Sequence, residues 1–257
     1  DQLVDETQEE ALVALRIQGV TTQQAELCWR NLADDVFVRL KADQLAWMTC
    51  CVIRAESELH GLPCVEIRTL EKERVTELFV HALDFDGLFA SVVASLEAMR
   101  CNVLAARVIT SHDQRSWDLF QLVDANGQAL VAADGERLMQ KLKRQLMARS
   151  APQFRAGRVP RRLREFLAPA QIRFESGSPY TLMWLECTDR PGLLSLVAEV
   201  LMAKQVRIHD ARIATFGDRA EDLFTLSDRQ NHALDEAACA SLDDELRRRL
   251  DAVLKEH

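Results

Sequence analysis

No stretch of about 18 consecutive apolar residues, the length a membrane-spanning helix needs, occurs in the chain. The N-terminus opens on Asp1, Asp5 and Glu9 instead of a basic, apolar leader, so no signal peptide is expected and the cytoplasm is the expected compartment. Cysteine pairs are also missing. Cys28, Cys50, Cys51, Cys64, Cys101, Cys187 and Cys239 are odd in number and contain no C-x-x-C spacing, which argues against a disulfide framework and a zinc ribbon. They read as reduced, mostly buried thiols. Positive charge is in deficit, with a net charge of -8 and a pI near 5.4, so no nucleic-acid partner is expected for the chain as a whole.

Catalytic signatures are equally scarce. Neither a phosphate-binding P-loop nor a nucleophile elbow is present. Asp84-Phe85-Asp86 is a D-x-D by letters, but no Gly-Ser turn precedes it, and His112-Asp113 and His209-Asp210 have no further histidines and carboxylates converging on them in the sequence. No catalytic residue, metal ligand or cofactor is therefore expected in this chain. One local exception to the acidic balance runs from Arg137 through Lys141, Lys143, Arg144, Arg149, Arg155, Arg158, Arg161 and Arg162 to Arg164. It reads as a solvated helix face followed by a connecting segment, with a docking site for an acidic partner as the other reading.

What the chain does contain is a repeat. Asp84-Phe85-Asp86-Gly87-Leu88 recurs as Asp189-Arg190-Pro191-Gly192-Leu193. At the same spacing Val92 matches Val197, Leu96 matches Leu201, Ala98 matches Ala203, Ala106-Arg107 matches Ala211-Arg212 and Thr110 matches Thr215. One residue is then lost, after which Asp118-Leu119-Phe120 matches Asp222-Leu223-Phe224, Asp124 matches Asp228 and Ala129-Leu130 matches Ala233-Leu234. Agreement across turn, helix and strand positions means that one supersecondary unit is used twice. With 48% hydrophobic residues in 257, the chain can bury a core in each copy and in a further region.

Residues 1–60 have a helical texture. Thr7 with Glu10, and Thr21 with Gln24, form capping-box patterns, Gly19 stops the first helix, and Leu12, Leu15, Leu27, Trp29, Leu45, Trp47, Val52 and Ile53 recur near helical spacing. Three short helices of this kind are marginal alone, so they need something to pack against. From Leu62 the texture changes to strand-like alternation at 63–68 and, more clearly, at 76–82. After the Asp84 turn an amphipathic helix carries Leu88, Val92, Leu96 and Met99. Strands follow near 103–110 and 117–123, then a turn at Asn126-Gly127, a helix near 135–149, and a strand near Gln171 to Phe174 that completes the unit. The second copy places its first strand at 182–186, a helix at 192–204, strands at 206–215 and 223–226, and a last helix at 234–254.

The expected fold class is α+β, with two ferredoxin-like βαββαβ domains behind a small helical segment. The corresponding domains are 1–60, 61–177 and 178–257, with breakers at Ser150 to Gly157 and a boundary at Gly177-Ser178-Pro179. No fourth strand follows the last helix, so the second copy either ends early or borrows an earlier segment.

The repeated turn has a chemistry of its own. A glycine at a strand-to-helix junction allows close backbone approach, and Pro191 suits a helix start because its missing N–H has no partner there anyway. The free N–H groups and the positive end of the helix dipole together hold a small anion such as an amino-acid carboxylate. Asp84 and Asp189 are expected to cap the two helices, and a nearby acidic or carbonyl group would take an ammonium. The alternative is a plain N-cap with a close-packing glycine.

With its downstream Ala-Arg-[Val/Ile]-x-Thr strand, this pattern resembles the ACT domain, a small-molecule sensing module. The resemblance narrows through Asp189-Arg190-Pro191-Gly192-Leu193-Leu194, the stretch from Ala211 to Phe224, Pro160-Arg161-Arg162-Leu163-Arg164, Asn31 to Phe37 and Leu45 to Thr49. Together these look like the C-terminal part of the bifunctional uridylyltransferase/uridylyl-removing enzymes that modify the PII nitrogen-signalling protein. That resemblance implies a regulatory segment that senses glutamine, with PII and the upstream catalytic domains as partners, magnesium used upstream, and ACT units that pair. It carries the ligand-binding role onto Asp189, Arg190, Pro191, Gly192 and Leu193, and onto Asp84, Phe85, Asp86, Gly87 and Leu88. Two departures stand out. Phe85-Asp86 replaces the usual Arg-Pro, which makes the second turn the better site, and Met48 replaces a histidine of the helical segment. A free-standing ACT adaptor sensing another amino acid is the alternative.

Overall fold

The computed structural model describes residues 2–58, 61–149, 168–177 and 179–252. Asp1, the Ser150 to Gly157 breaker, Ser178, Leu254 and the basic run beyond Arg149 lie outside the described residues. The chain divides into two compact units. One comprises Asp1–Arg68, Leu78–Asp84 and Ile109–Leu119, and the other Thr69–Glu77, Phe85–Val108 and Phe120–His257. Among the described residues, no helix is long and apolar enough to cross a membrane.

The first unit is built on four helices, α1 (Gln2–Ile17), α2 (Thr22–Trp29), α3 (Asp34–Arg39) and α4 (Ala42–Ser57). The expected capping box at Thr21 is formed, with Thr21 Oγ1 accepting from the Gln24 N–H at 3.2 Å and Gln24 Oε1 from the Thr21 N–H at 2.9 Å. The one at Thr7 is not. Helix α1 starts at Gln2, so Thr7 lies inside it and donates its hydroxyl to the Leu3 carbonyl at 3.0 Å, four residues back. Gly19, at φ +80°, follows the end of α1 as expected. The helices bury Leu15, Trp29, Phe37, Leu45 and Met48 against Phe79, Ile109, Trp117 and Leu119 of the same unit. That supplies the packing partner short helices need, and it gives Met48 a core role. Trp29 satisfies its indole N–H on Thr49 Oγ1 at 2.8 Å, whereas Leu27, expected on the apolar stripe, points outward and is 60% exposed.

Among the described residues eight strands follow: β1 (Cys64–Leu70), β2 (Val75–His81), β3 (Asn102–Arg107), β4 (Asp118–Val123), β5 (Gln171–Ser176), β6 (Thr181–Thr188), β7 (Arg207–Phe216) and β8 (Arg219–Ser227). Among the described residues four helices are interleaved with them: α5 (Leu88–Ala98), α6 (Ala132–Ala148), α7 (Leu193–Ala203) and α8 (Glu236–Leu250). The strand order in the sheet is β1-β2-β4-β3-β7-β8-β6-β5. The α+β class and the pair of ferredoxin-like copies are as expected.

The source of the fourth strand differs from the expectation. The strand near Gln171 pairs in antiparallel register with β6, from Gln171 opposite Glu186 to Ser176 opposite Thr181, so it serves the second copy and does not complete the first. The supposed boundary at Gly177 is the turn of this hairpin, where the Gly177 N–H donates to the Tyr180 carbonyl at 2.9 Å. A side chain at Gly177 would meet that oxygen at 2.5 Å, so the position needs glycine. Closing a short hairpin costs less chain entropy than reaching across α6 to an earlier strand. The second copy therefore borrows an earlier segment, and β1 stands in the same place ahead of β2. Each copy runs ββαββα along the chain.

Several devices recur at equivalent positions of the second unit. The Thr76 hydroxyl accepts from the Leu130 N–H and the Thr181 hydroxyl from the Leu234 N–H, both at 2.9 Å. Asp124 Oδ1 gathers the N–H groups of Asn126 and Gln128, and Asp228 Oδ1 those of Gln230 and His232, each at 2.8–2.9 Å. These side-chain loops fix the way into each copy's last helix. Helix α8 is shorter than expected and starts behind Asp235, whose Oδ1 accepts from the Ala238 N–H at 2.7 Å.

Candidate functional site

Both repeated turns adopt the same backbone. Gly87 at φ +94° and Gly192 at φ +82° are the N-cap residues of α5 and α7, in a left-handed conformation that favours glycine. The Leu88 N–H closes on the Phe85 carbonyl at 3.1 Å and the Leu193 N–H on the Arg190 carbonyl at 3.2 Å, so the first helical amide is already paired in each turn. Pro191 consequently sits one residue ahead of the N-cap, not at the first helical position as expected.

The expected capping by aspartate does not occur, since neither Gly87 nor Gly192 receives a side-chain cap. Asp84 instead accepts from the Thr110 hydroxyl at 3.3 Å, and its N–H donates to the Gln114 carbonyl at 2.9 Å. The Asp189 N–H donates to the Asp218 carbonyl at 2.8 Å, and burial pushes its carboxyl above the ordinary range, opposed by the Arg190 N–H. The turn aspartates brace the loop on the strand side and do not cap the helix starts.

Each copy also sets a buried carboxyl in its last strand. Asp118 is 1% exposed, accepts from the Ile109 N–H at 3.1 Å, and has its second oxygen unpartnered. Burial and then the Asp84 charge hold it well above the usual carboxylate range. Its mate Asp222 is 2% exposed with neither oxygen in a hydrogen bond, although the Ala214 N–H faces it. Burial, reinforced by Asp189, pushes Asp222 up to about 7. Cys187 is raised to about 12, by burial and then Asp222.

The remaining turn residues diverge. Arg190 turns away from the helix start and donates through Nη1 to the Leu250 carbonyl at 3.1 Å, a cation at the C-terminal end of α8, while its Nη2 is buried without a partner. Phe85 brings no such donor to the first turn. Asp86 is 82% exposed and pairs with Arg229 at 2.6 Å.

The copies meet through β3 and β7. Ala106 lies opposite its own repeat mate Ala211, flanked by Ala105 opposite Arg212 and Arg107 opposite Asp210. Exchanging the copies maps this ladder onto itself, as in an isologous interface. Helices α5 and α7 pack together beside it. There the mates Glu97 and Met202 face opposite helix starts. The Glu97 carboxylate accepts from the Ser195 N–H at 3.3 Å, from the Ser195 hydroxyl and from the Leu194 N–H. Met202 Sδ sits where a side chain at Gly87 would meet it, at 2.7 Å. The residues that sequence reasoning missed are thus Glu97, Met202 and Ser195. Their one sequence signal is that a glutamate and a methionine occupy equivalent repeat positions.

Two ββαββα units sharing a strand edge, each with a glycine turn at a helix start, define a tandem ACT-type regulatory fold. The family model described as "Uridylyltransferase GlnD fifth domain" matches residues 1–50. The bifunctional uridylyltransferase/uridylyl-removing enzyme of Xanthomonas axonopodis pv. citri is 35% identical over 253 residues, covering 96% of this chain and 28% of that protein. The enzyme of the same name from Ectopseudomonas mendocina is 30% identical over 259 residues, covering 97% and 29%. Over nearly its whole length the chain matches the C-terminal region of these enzymes, and it spans a little over a quarter of their length. A solved structure described as a putative glycine cleavage system transcriptional repressor overlaps at 13% identity and a TM-score of 0.25, covering 68% of this chain and 91% of that one.

Proposed function

We propose that this chain is the effector-sensing region of a bifunctional uridylyltransferase/uridylyl-removing enzyme, with glutamine as the sensed metabolite and PII as the protein whose modification it controls. The observation that carries this reading is the pair of left-handed glycine turns opening α5 and α7 on either side of the β3–β7 ladder. Such turns hold an amino-acid carboxylate by backbone alone, and Asp189 lies close by to take an ammonium. The ACT units act as a pair through that ladder. Nucleotidyl transfer, its magnesium ions and uridylyl removal belong to the remaining length of the enzyme.

Glutamine works as a switch to the extent that it binds one arrangement of the regulatory and catalytic domains more tightly than the other, since a ligand shifts an equilibrium only by its differential affinity. Calorimetric titration of the 257-residue chain with L-glutamine is the test. Saturable heat at millimolar ligand is expected. Folded protein giving no heat over that range would sink the glutamine reading.

A further inference from the structure

Of the two helix starts, the one that keeps the fuller sequence motif is already occupied. The α7 amides of Leu194 and Ser195, the anion-holding face of the second turn, meet the Glu97 carboxylate, which also takes the Ser195 hydroxyl. This is a charge-assisted contact to the positive end of a helix, the same chemistry an amino-acid carboxylate would use. It does not come from the turn itself. Glu97 stands on α5 of the other copy and reaches across the α5–α7 contact.

The repeat supplies an internal control. At the equivalent position the chain carries Met202, which packs beside Gly87 and offers no carboxylate, so packing at this position does not require an acid. A carboxylate fixed on a neighbouring helix also competes with free ligand at an effective concentration of millimolar order, without further entropy loss.

We propose that Glu97 is a tethered occupant of the second turn, and that an effector carboxylate reaches the Leu194 and Ser195 amides only by displacing it. This rests on the amino-acid-sensing reading above. Displacement breaks the one charge-assisted bridge described between α5 and α7. Ligand arrival at the second turn is thereby coupled to the contact between the two copies, which gives the effector two states to discriminate.

The test is an amide-resolved NMR titration of the 257-residue chain and of Glu97→Met, which installs the mate's residue, with sodium acetate and separately with L-glutamine. Acetate should move the Leu194 and Ser195 amides at a concentration about tenfold lower in Glu97→Met than in the unaltered chain, where Glu97 competes. Ser195→Ala, which loosens the tether but keeps both amides, should fall between the two, and it decides the matter if Glu97→Met does not fold. Equal acetate titrations in the unaltered chain and the folded variant would overturn the proposal. If acetate behaves as expected and glutamine moves nothing in either protein, the glutamine reading falls and the tethered carboxylate stands. If glutamine moves the α7 amides equally in both, the tethered carboxylate falls and the glutamine reading stands.

Discussion

At the first turn Gly87 opens α5 beside the thioether of Met202, and an exposed Asp86 pairs with Arg229. At the second turn Gly192 opens α7 under the carboxylate of Glu97, and Arg190 is drawn off to the end of α8. The backbone is common to both and the charge around it is not. Duplication therefore preserved the part that only glycine supplies and freed the neighbouring side chains to diverge. Two helix starts of one backbone shape thus differ in the side chain that lies against them.

That comparison breaks first where the copies are alike. Phe120 and Phe224 are repeat mates, each fully buried, so Phe120→Ala and Phe224→Ala should each cost about 3–5 kcal/mol in denaturant unfolding. A cost confined to one of them would mean the two cores do not share the load.

Asp222 sharpens it next. Its folded pKa is raised to about 7, against about 3.9 in an unfolded chain, so the folded state holds the extra proton across that window. The contribution is fully present below pH 4, falls as pH rises towards 7 and is gone above it. Asp222→Asn should flatten this slope and gain up to about 4 kcal/mol at pH 8 relative to pH 4, read as the pH dependence of unfolding free energy. A slope unchanged by the substitution would place the titration elsewhere.

The smallest effect concerns the glycines. Gly87→Ala and Gly192→Ala should each lose about 1–2 kcal/mol from the left-handed backbone. In Gly87→Ala the new side chain would also displace Met202 Sδ. Unchanged thermal midpoints in both variants would mean that neither helix start needs its left-handed glycine.

Much of this was legible in the sequence, because turn residues act locally. The glycines of the two repeated turns, the Asn126-Gly127 turn and the α5 and α7 helices all follow from spacing within a few residues. The fourth strand was harder to place. Gln171 to Ser176 stands between α6 and β6, and a strand's pattern names its faces but not its partner. Gly177 was legible as a breaker and not as a hairpin turn, because a boundary and a turn use the same residues. Thr7 failed as a cap because a Thr-x-x-Glu pattern also fits a helix interior, where the hydroxyl bonds backward. Glu97 carried no local signal at all, since its partners Leu194 and Ser195 belong to the other copy and only the folded β3–β7 ladder brings them together.

The most direct test of the unequal-turn account is a crystal structure of the chain grown with saturating L-glutamine. The account predicts the glutamine carboxylate on the backbone amides that follow Gly87 or Gly192, with Glu97 withdrawn from Leu194 and Ser195 wherever the second turn is filled. Glutamine bound away from both helix starts, with Glu97 still seated on α7, would contradict it.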